Sequence, residues 1–282
     1  EEGRVPGDGI DNQWVERGPN NVGGRTRVLM FAPGSTTKVF AGAVSGGLWV
    51  NNDITSAVSS WTQVSGVPSN MAVTCFTVDP QNSNIMYLGT GEVYTWGAVN
   101  GNGVYKSIDG GTTWKLIFGT SIGAALADQL TYIQDIITWV NPTTNLTEVY
   151  FGADAMYYSE AVGATQWIGT NTVGLWKSTD GVNFAKFTNT ALQSSTGIYC
   201  APNSFSTDFS GNLFMGTKRS AYGEGGGRIY KCTNGTNWTL VRTLSGVDGR
   251  VQLKCSRQTA GKAFALCENY TGGVPVIKRS TD

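Results

Sequence analysis

The amino-acid sequence predicts an all-β fold, a β-propeller of four-stranded antiparallel blades. Three observations carry the prediction. The composition, with 38 Gly, 9 Trp, 11 Tyr and 11 Phe but only 14% charged residues in 282, suits many short strands joined by tight turns rather than amphipathic helices. Strand-length runs recur in sets of four. Turn signatures anchored by Asp53, Asp109, Asp180, Asn234 and Asp282 follow one another at intervals of 56, 71, 54 and 48 residues, which is propeller-blade spacing.

Residues 1–25 read as an extension leading into the first blade, and 26–282 as the propeller. Blade 1, about 26–66, contains the runs 26–31, 38–42, 47–50 and 61–64. Blade 2, about 72–119, contains 75–78, 85–89, 103–106 and 114–117, with turn chemistry in Asp79-Pro80-Gln81-Asn82 between its first two runs. Blade 3, about 132–190, contains 135–138, 148–152, 174–177 and 184–187. Blade 4, about 197–244, is read from 211–216, 228–231 and 238–241. A fifth, incomplete blade at 250–282 has 251–254, 263–266 and 275–278, then stops inside a hairpin at Ser280-Thr281-Asp282. Four complete blades and the start of another predict a fragment of a larger ring.

Twenty basic and twenty acidic side chains leave no net charge, so neither nucleic acid nor an anionic membrane is expected as a partner. No apolar run reaches the roughly 18 residues of a membrane span, and Glu1-Glu2-Gly3-Arg4 does not resemble a signal peptide; a soluble, already processed chain is expected. Histidine is absent, which removes imidazole acid–base catalysis, the Ser-His-Asp triad and the usual zinc sites. No cofactor and no metal are expected. The cysteines Cys75, Cys200, Cys232, Cys255 and Cys267 lack CxxC spacing. Cys255 and Cys267 lie on two runs that pair as a hairpin, which leaves open a cross-strand disulfide or burial as small hydrophobes.

The turns carry the most specific signal. Ser107-Ile108-Asp109-Gly110-Gly111-Thr112-Thr113-Trp114 follows the pattern S-x-D-x-G-x-T-W. The runs Ser178-x-Asp180 to Phe184 and Cys232-x-Asn234 to Trp238 are one residue shorter, and the turn at Asp53 is degenerate. A short polar side chain accepts hydrogen bonds from turn amides, and Gly takes the positive φ. Ser107, Asp109, Gly111, Trp114, Ser178, Asp180, Phe184, Asn234 and Trp238 are therefore assigned to hairpin folding rather than to catalysis.

With the opening Gly23-Gly24-Arg25-Thr26 and the run Ala43-Val44-Ser45-Gly46-Gly47-Leu48-Trp49, the chain resembles the Asp-box β-propellers of the sialidase, xyloglucanase and sortilin type found in exported bacterial surface proteins. The resemblance implies an extracellular or cell-surface location. It also implies an aspartate just before the Gly-Gly of the first blade, here Gly46-Gly47, in hydrolytic members, where this chain has Val44, and three arginines with a Tyr nucleophile in sialidases, for which the matching Phe-Arg-Ile-Pro element is missing. Arg25 is expected to bond a neighbouring carbonyl or carboxylate.

A binding face is expected on the loops between second and third strands, opposite the Asp turns. Candidates there are Glu92, Tyr94 and Trp96; Asp154, Tyr157, Tyr158 and Trp167; Arg219, Tyr222 and Glu224; and Tyr270. Aromatic rings beside carboxylates suit sugar stacking or a protein hot spot. The expected function is non-catalytic recognition or scaffolding, with a protein or glycan partner. The alternatives are a glycoside hydrolase with part of its active site outside the chain, in which Glu92, Asp154 or Glu224 replaces the absent aspartate, and a structural part of a larger extracellular assembly.

Overall fold

In the computed structural model, the described residues are 25–93, 99, 101–121, 123–130, 132–158, 166–244, 249–268 and 275–280. They form an all-β propeller of five small antiparallel sheets. Blade 1 has β1 (Thr26–Phe31), β2 (Val39–Ala43), β3 (Leu48–Asn51) and β4 (Thr62–Gln63) in sequential order. Blade 2 has β5 (Val73–Val78), β6 (Met86–Thr90), β7 (Gly103–Ser107) and β8 (Lys115–Gly119). Blade 3 has β9 (Ile133–Val140) and β10 (Thr147–Ala153), then a two-stranded hairpin, β11 (Met156–Tyr158) and β12 (Gln166–Ile168), then β13 (Gly174–Ser178) and β14 (Ala185–Lys186). Blade 4 has β15 (Ala201–Thr207), β16 (Leu213–Lys218), β17 (Arg228–Cys232) and β18 (Trp238–Thr243), and blade 5 has β19 (Val251–Cys255), β20 (Ala263–Cys267) and β21 (Val276–Arg279).

The second strands of blades 1, 2 and 3 are buried along nearly their whole length, because each inner sheet packs a face against each neighbour. The four larger cores lie one at each junction, with a small cluster of Ala155, Val173 and Ala201 beside them. Phe40 and Leu48 meet Val73, Met86 and Trp114 between blades 1 and 2; Tyr87 and Val104 meet Ile133 and Phe151 between 2 and 3. Tyr150 and Leu175 meet Phe205, Met215 and Trp238 between 3 and 4, and Phe214 and Ile229 pack on Val251 and Leu253 between 4 and 5.

The repeated Gly of each second strand has a packing cause. A Cβ on Gly42 would lie 2.7 Å from Val73 Cγ1, on Gly89 2.4 Å from Ile133 Cγ2, on Gly152 2.4 Å from the Pro202 carbonyl and on Gly216 2.6 Å from the Val251 carbonyl. Each sheet thus approaches the next blade's innermost strand more closely than any side chain permits. Side chains stitch the innermost strands together: Thr74 Oγ1 donates to the Ile133 carbonyl at 2.8 Å, Phe205 N to Asp135 Oδ2 at 2.7 Å, and Leu253 N to Ser204 Oγ at 2.7 Å.

Two elements depart from the sequence reading. β15 was not among the runs read from the sequence, yet all seven of its residues are buried: Pro202 and Asn203 have poor strand chemistry, and burial between blades decides the conformation. The β11–β12 hairpin sits in the connection between β10 and β13. The structure also decides between the two readings left open for Cys255 and Cys267. Cys255 pairs with Ala263 and Cys267 with Val251, at opposite ends of the β19–β20 register, so no disulfide joins them, and all five cysteines are free thiols.

Candidate functional site

Strand register puts the Asp turns and the loops between second and third strands at opposite ends of the blades. In blade 2 Ser107, which opens the Asp turn, pairs with Met86, whereas Val104, just after the long loop, pairs with Gly89. Blade 3 repeats this with Ser178 opposite Val149 and Gly174 opposite Ala153.

At the turn end, Asp109 Oδ1 accepts from Thr112 N, Thr113 N and Ser107 Oγ, and Oδ2 from Thr113 Oγ1 at 2.6 Å. These bonds, led by the Thr113 hydroxyl, hold the carboxyl down at about 2. Asp180 is held low in the same way by Asn183. Asn234 keeps the two backbone bonds, from Thr236 N and Asn237 N. A Cβ on Gly111 would lie 2.6 Å from Phe40 of the preceding blade, the Gly181 carbonyl accepts from Lys106, and the Gly235 carbonyl accepts from Tyr150 and Lys177. Trp114, Phe184 and Trp238 pack in the junction cores. Each turn is therefore also a clasp onto the blade before it.

At the loop end, two candidate carboxylates are buried in ion pairs. Glu92, with a fully buried side chain, receives Arg25 in a two-pronged contact of 3.1 and 2.6 Å, with Arg27 Nε at 3.7 Å. Asp154, 1% exposed, pairs with Lys218 and accepts from Ala155 N and Ala221 N. Glu224 bonds Thr196, and the hydroxyls of Ser194 and Thr196 hold its carboxyl below the usual range. Arg219 Nε donates to the Gly223 carbonyl.

The aromatic candidates behave differently. Tyr157 and Trp167 are cross-strand partners in the β11–β12 hairpin, their rings edge to face with centroids 5.1 Å apart, and they remain 42% and 41% exposed. Tyr222, from the corresponding loop of blade 4, is 47% exposed and donates its hydroxyl to the Thr170 carbonyl just beyond that hairpin. Tyr94, Trp96 and Tyr270, and the side chain of Tyr158, lie outside the described residues.

The residues that sequence reasoning missed lie on the axis. The innermost strands of the first four blades each carry a β-bulge, and the extra residues are Arg27, Thr74, Gln134 and Asn203. With Gln252 of the fifth blade they line a funnel of about 400 Å³, together with Asp135, Arg250, Leu266, Glu268 and Pro275. Desolvation pushes the Asp135 carboxyl up to about 6, against the bonds from Phe205 N and Ile136 N and the field of Lys254. No pattern in the sequence marks a bulge, so this ring of polar side chains could not be read from it. Among the described residues no cluster of His, Cys, Asp or Glu is placed to hold a metal ion, and no helix is long and apolar enough to cross a membrane.

No family model matches the chain, and no curated protein does. Among solved structures it is similar to an ancestral GH74 enzyme (15% identity, TM-score 0.53, 88% of this chain on 30% of that one). It is also similar to the GH74 enzyme of Niastella koreensis (20%, 0.55, 86% on 34%) and to a luciferin-regenerating enzyme (13%, 0.52, 93% on 79%). The chain thus spans about a third of the length of the GH74 enzymes that it matches. What it shares with these proteins is the β-propeller fold.

Proposed function

We propose that the chain is a non-catalytic recognition or scaffolding propeller of an exported or cell-surface protein, binding a protein partner or a glycan through the face opposite the Asp turns. The Tyr157–Trp167 pair carries this reading: two large rings fixed by strand register and by each other, yet open to solvent. Rigid, half-exposed aromatics are the groups that stack on sugar rings or anchor a protein hot spot. Tyr222 extends the same surface. Glycoside hydrolysis needs two carboxylates facing one bond, whereas Glu92 and Asp154 are spent on Arg25 and Lys218.

The Asp-turn repeat supports a place among the Asp-box propellers. Membership of a larger ring is supported by two apolar sheet faces. Leu29 and Phe31 of blade 1 are 68% and 53% exposed, and Phe264 and Ile277 of blade 5 are 46% and 72% exposed; a further blade on either side would cover them. The test is binding to a glycan array and capture of a partner by the wild type and by the double variant Tyr157→Ala, Trp167→Ala. Loss in the variant is expected. Undiminished binding overturns the loop assignment, and hydrolysis of a glycan by the purified chain overturns the non-catalytic reading.

A further inference from the structure

Side-chain amides stand round the axial funnel: Gln134 at the bulge of β9, Asn203 at the bulge of β15 and Gln252 on β19. Hydrogen bonds fix which way each one points. Asn203 Nδ2 donates to the Val251 carbonyl at 3.2 Å and to Gln252 Oε1 at 3.2 Å. Gln252 therefore turns its oxygen to Asn203, and its Nε2 donor has no acceptor among the described residues. Gln134 is 4% exposed; its Nε2 donates to the Tyr132 carbonyl at 3.4 Å, and its Oε1 has no hydrogen-bond partner among the described residues. Rotating that amide would set oxygen against the carbonyl, so the orphaned atom is the acceptor. A buried acceptor without a donor is costly.

The donors run in one direction, from Asn203 to Gln252 and from Gln134 to Tyr132, with one link missing between the Gln252 N–H and the Gln134 oxygen. A peptide-type amide supplies such a link: it accepts at its carbonyl and donates at its N–H, and hydrogen bonds chained in one direction polarise one another. The charged groups of the wall already have partners. Arg27 lies 3.7 Å from Glu92, Arg250 lies 3.0 Å from Glu268, and the Asp135 carboxyl accepts from Ile136 N and Phe205 N. Leu266 and Pro275 add apolar wall, and the cavity, about 400 Å³, falls in the roughly 300–1,000 Å³ range of small-molecule sites.

We infer that the funnel binds an uncharged amide, a blocked amino acid or the backbone of a short peptide segment, with an N–H on Gln134 Oε1 and a carbonyl on Gln252 Nε2. The site lies on the axis and is separate from the Tyr157–Trp167 face.

The probes are N-acetylglycinamide, which carries both groups, N-acetylsarcosine dimethylamide, which keeps the carbonyls but has no N–H, and glucose, which offers hydroxyls instead. Each is titrated into the full chain by calorimetry and ligand-observed NMR. N-acetylglycinamide is expected to bind, and the other two to bind about tenfold more weakly or not at all, the scale of one hydrogen bond lost to a buried acceptor. Gln134→Leu should weaken N-acetylglycinamide about tenfold without lowering the melting temperature, because it deletes an acceptor that has no partner in the free chain. Gln252→Glu, which keeps the oxygen facing Asn203 and replaces the donor, should weaken it similarly and decides the matter if Gln134→Leu does not fold. Trp167→Ala should change nothing. No binding of N-acetylglycinamide, equal binding of the dimethylamide or of glucose, full affinity in either glutamine variant, or weakening by Trp167→Ala overturns the assignment.

Discussion

Arg25 grips Glu92 with both guanidinium nitrogens, at 3.1 and 2.6 Å, and so ties the start of blade 1 to the loop that leaves the second strand of blade 2. The Glu92 side chain is fully buried while that of Arg25 is half exposed. The two deletions should therefore not be equal. Glu92→Ala removes a buried charge together with its anchor and is expected to cost about 2–4 kcal/mol; Arg25→Ala leaves Arg27 at 3.7 Å as a partial substitute and should cost less. Arg25→Lys loses the two-pronged geometry and should behave like the alanine variant. Chemical denaturation of the three variants checks the order.

The close approach of blades at the second-strand glycines predicts a second ranking. In Gly152→Ala the new methyl meets the Pro202 carbonyl, part of the backbone, whereas in Gly42→Ala it meets the Val73 side chain. Overpacking of this kind costs roughly 1–3 kcal/mol. Gly152→Ala is expected at the upper end and Gly42→Ala at the lower, read as shifts in urea midpoint with an unchanged slope.

The turn of blade 4 already shows what an amide does in place of the aspartate: Asn234 keeps its two backbone acceptor bonds. Asp109→Asn should accordingly lose mainly the contacts made by the second carboxylate oxygen and cost well under about 1 kcal/mol. Asp109→Ala orphans two turn amides as well and should cost about 1–2 kcal/mol. Thermal melting of the pair gives the comparison.

Asp135 and Asp109 pull the pH dependence in opposite directions. The native value of about 6 for Asp135 lies above the unfolded value of about 4. The folded state therefore binds the extra proton, and stability falls as pH rises from about 4 through about 6. The residue is only half-buried in the ring, so a fall of roughly 1–2 kcal/mol is expected from it. Asp109, held at about 2, contributes stability above pH 4 that is lost as pH drops through 2. Denaturation midpoints of wild type and Asp135→Asn between pH 4 and 7 should diverge, the variant lacking the fall.

All five cysteines should titrate as thiols in the denatured chain without any reductant, and Cys75, Cys200, Cys232 and Cys267 should be protected in the native state, where they are buried. Two fewer thiols than five would restore the disulfide that the β19–β20 register excludes.

The sequence by itself determined the blade repeat, because strand-length runs in sets of three or four and short polar-Gly turns, Asp109-Gly110, Asp180-Gly181 and Asn234-Gly235, are local features that recur along the chain. It also carried the bond of Asp109 to its own turn amides, and the expectation that Arg25 would bond a neighbouring carbonyl or carboxylate, of which the structure shows the carboxylate of Glu92. Tertiary structure decided the rest. β15 is a strand because its seven residues are buried between blades 3 and 5, against the propensities of Pro202 and Asn203. Glu92 and Asp154 left the candidate binding face because partners 67 and 64 residues away neutralise them. Gln134 and Asp135 reached the axis through a bulge that no pattern announces. The physical reason is common to all three: burial and pairing across blades depend on residues far apart in the chain, and a local pattern contains no information about which distant side chain arrives.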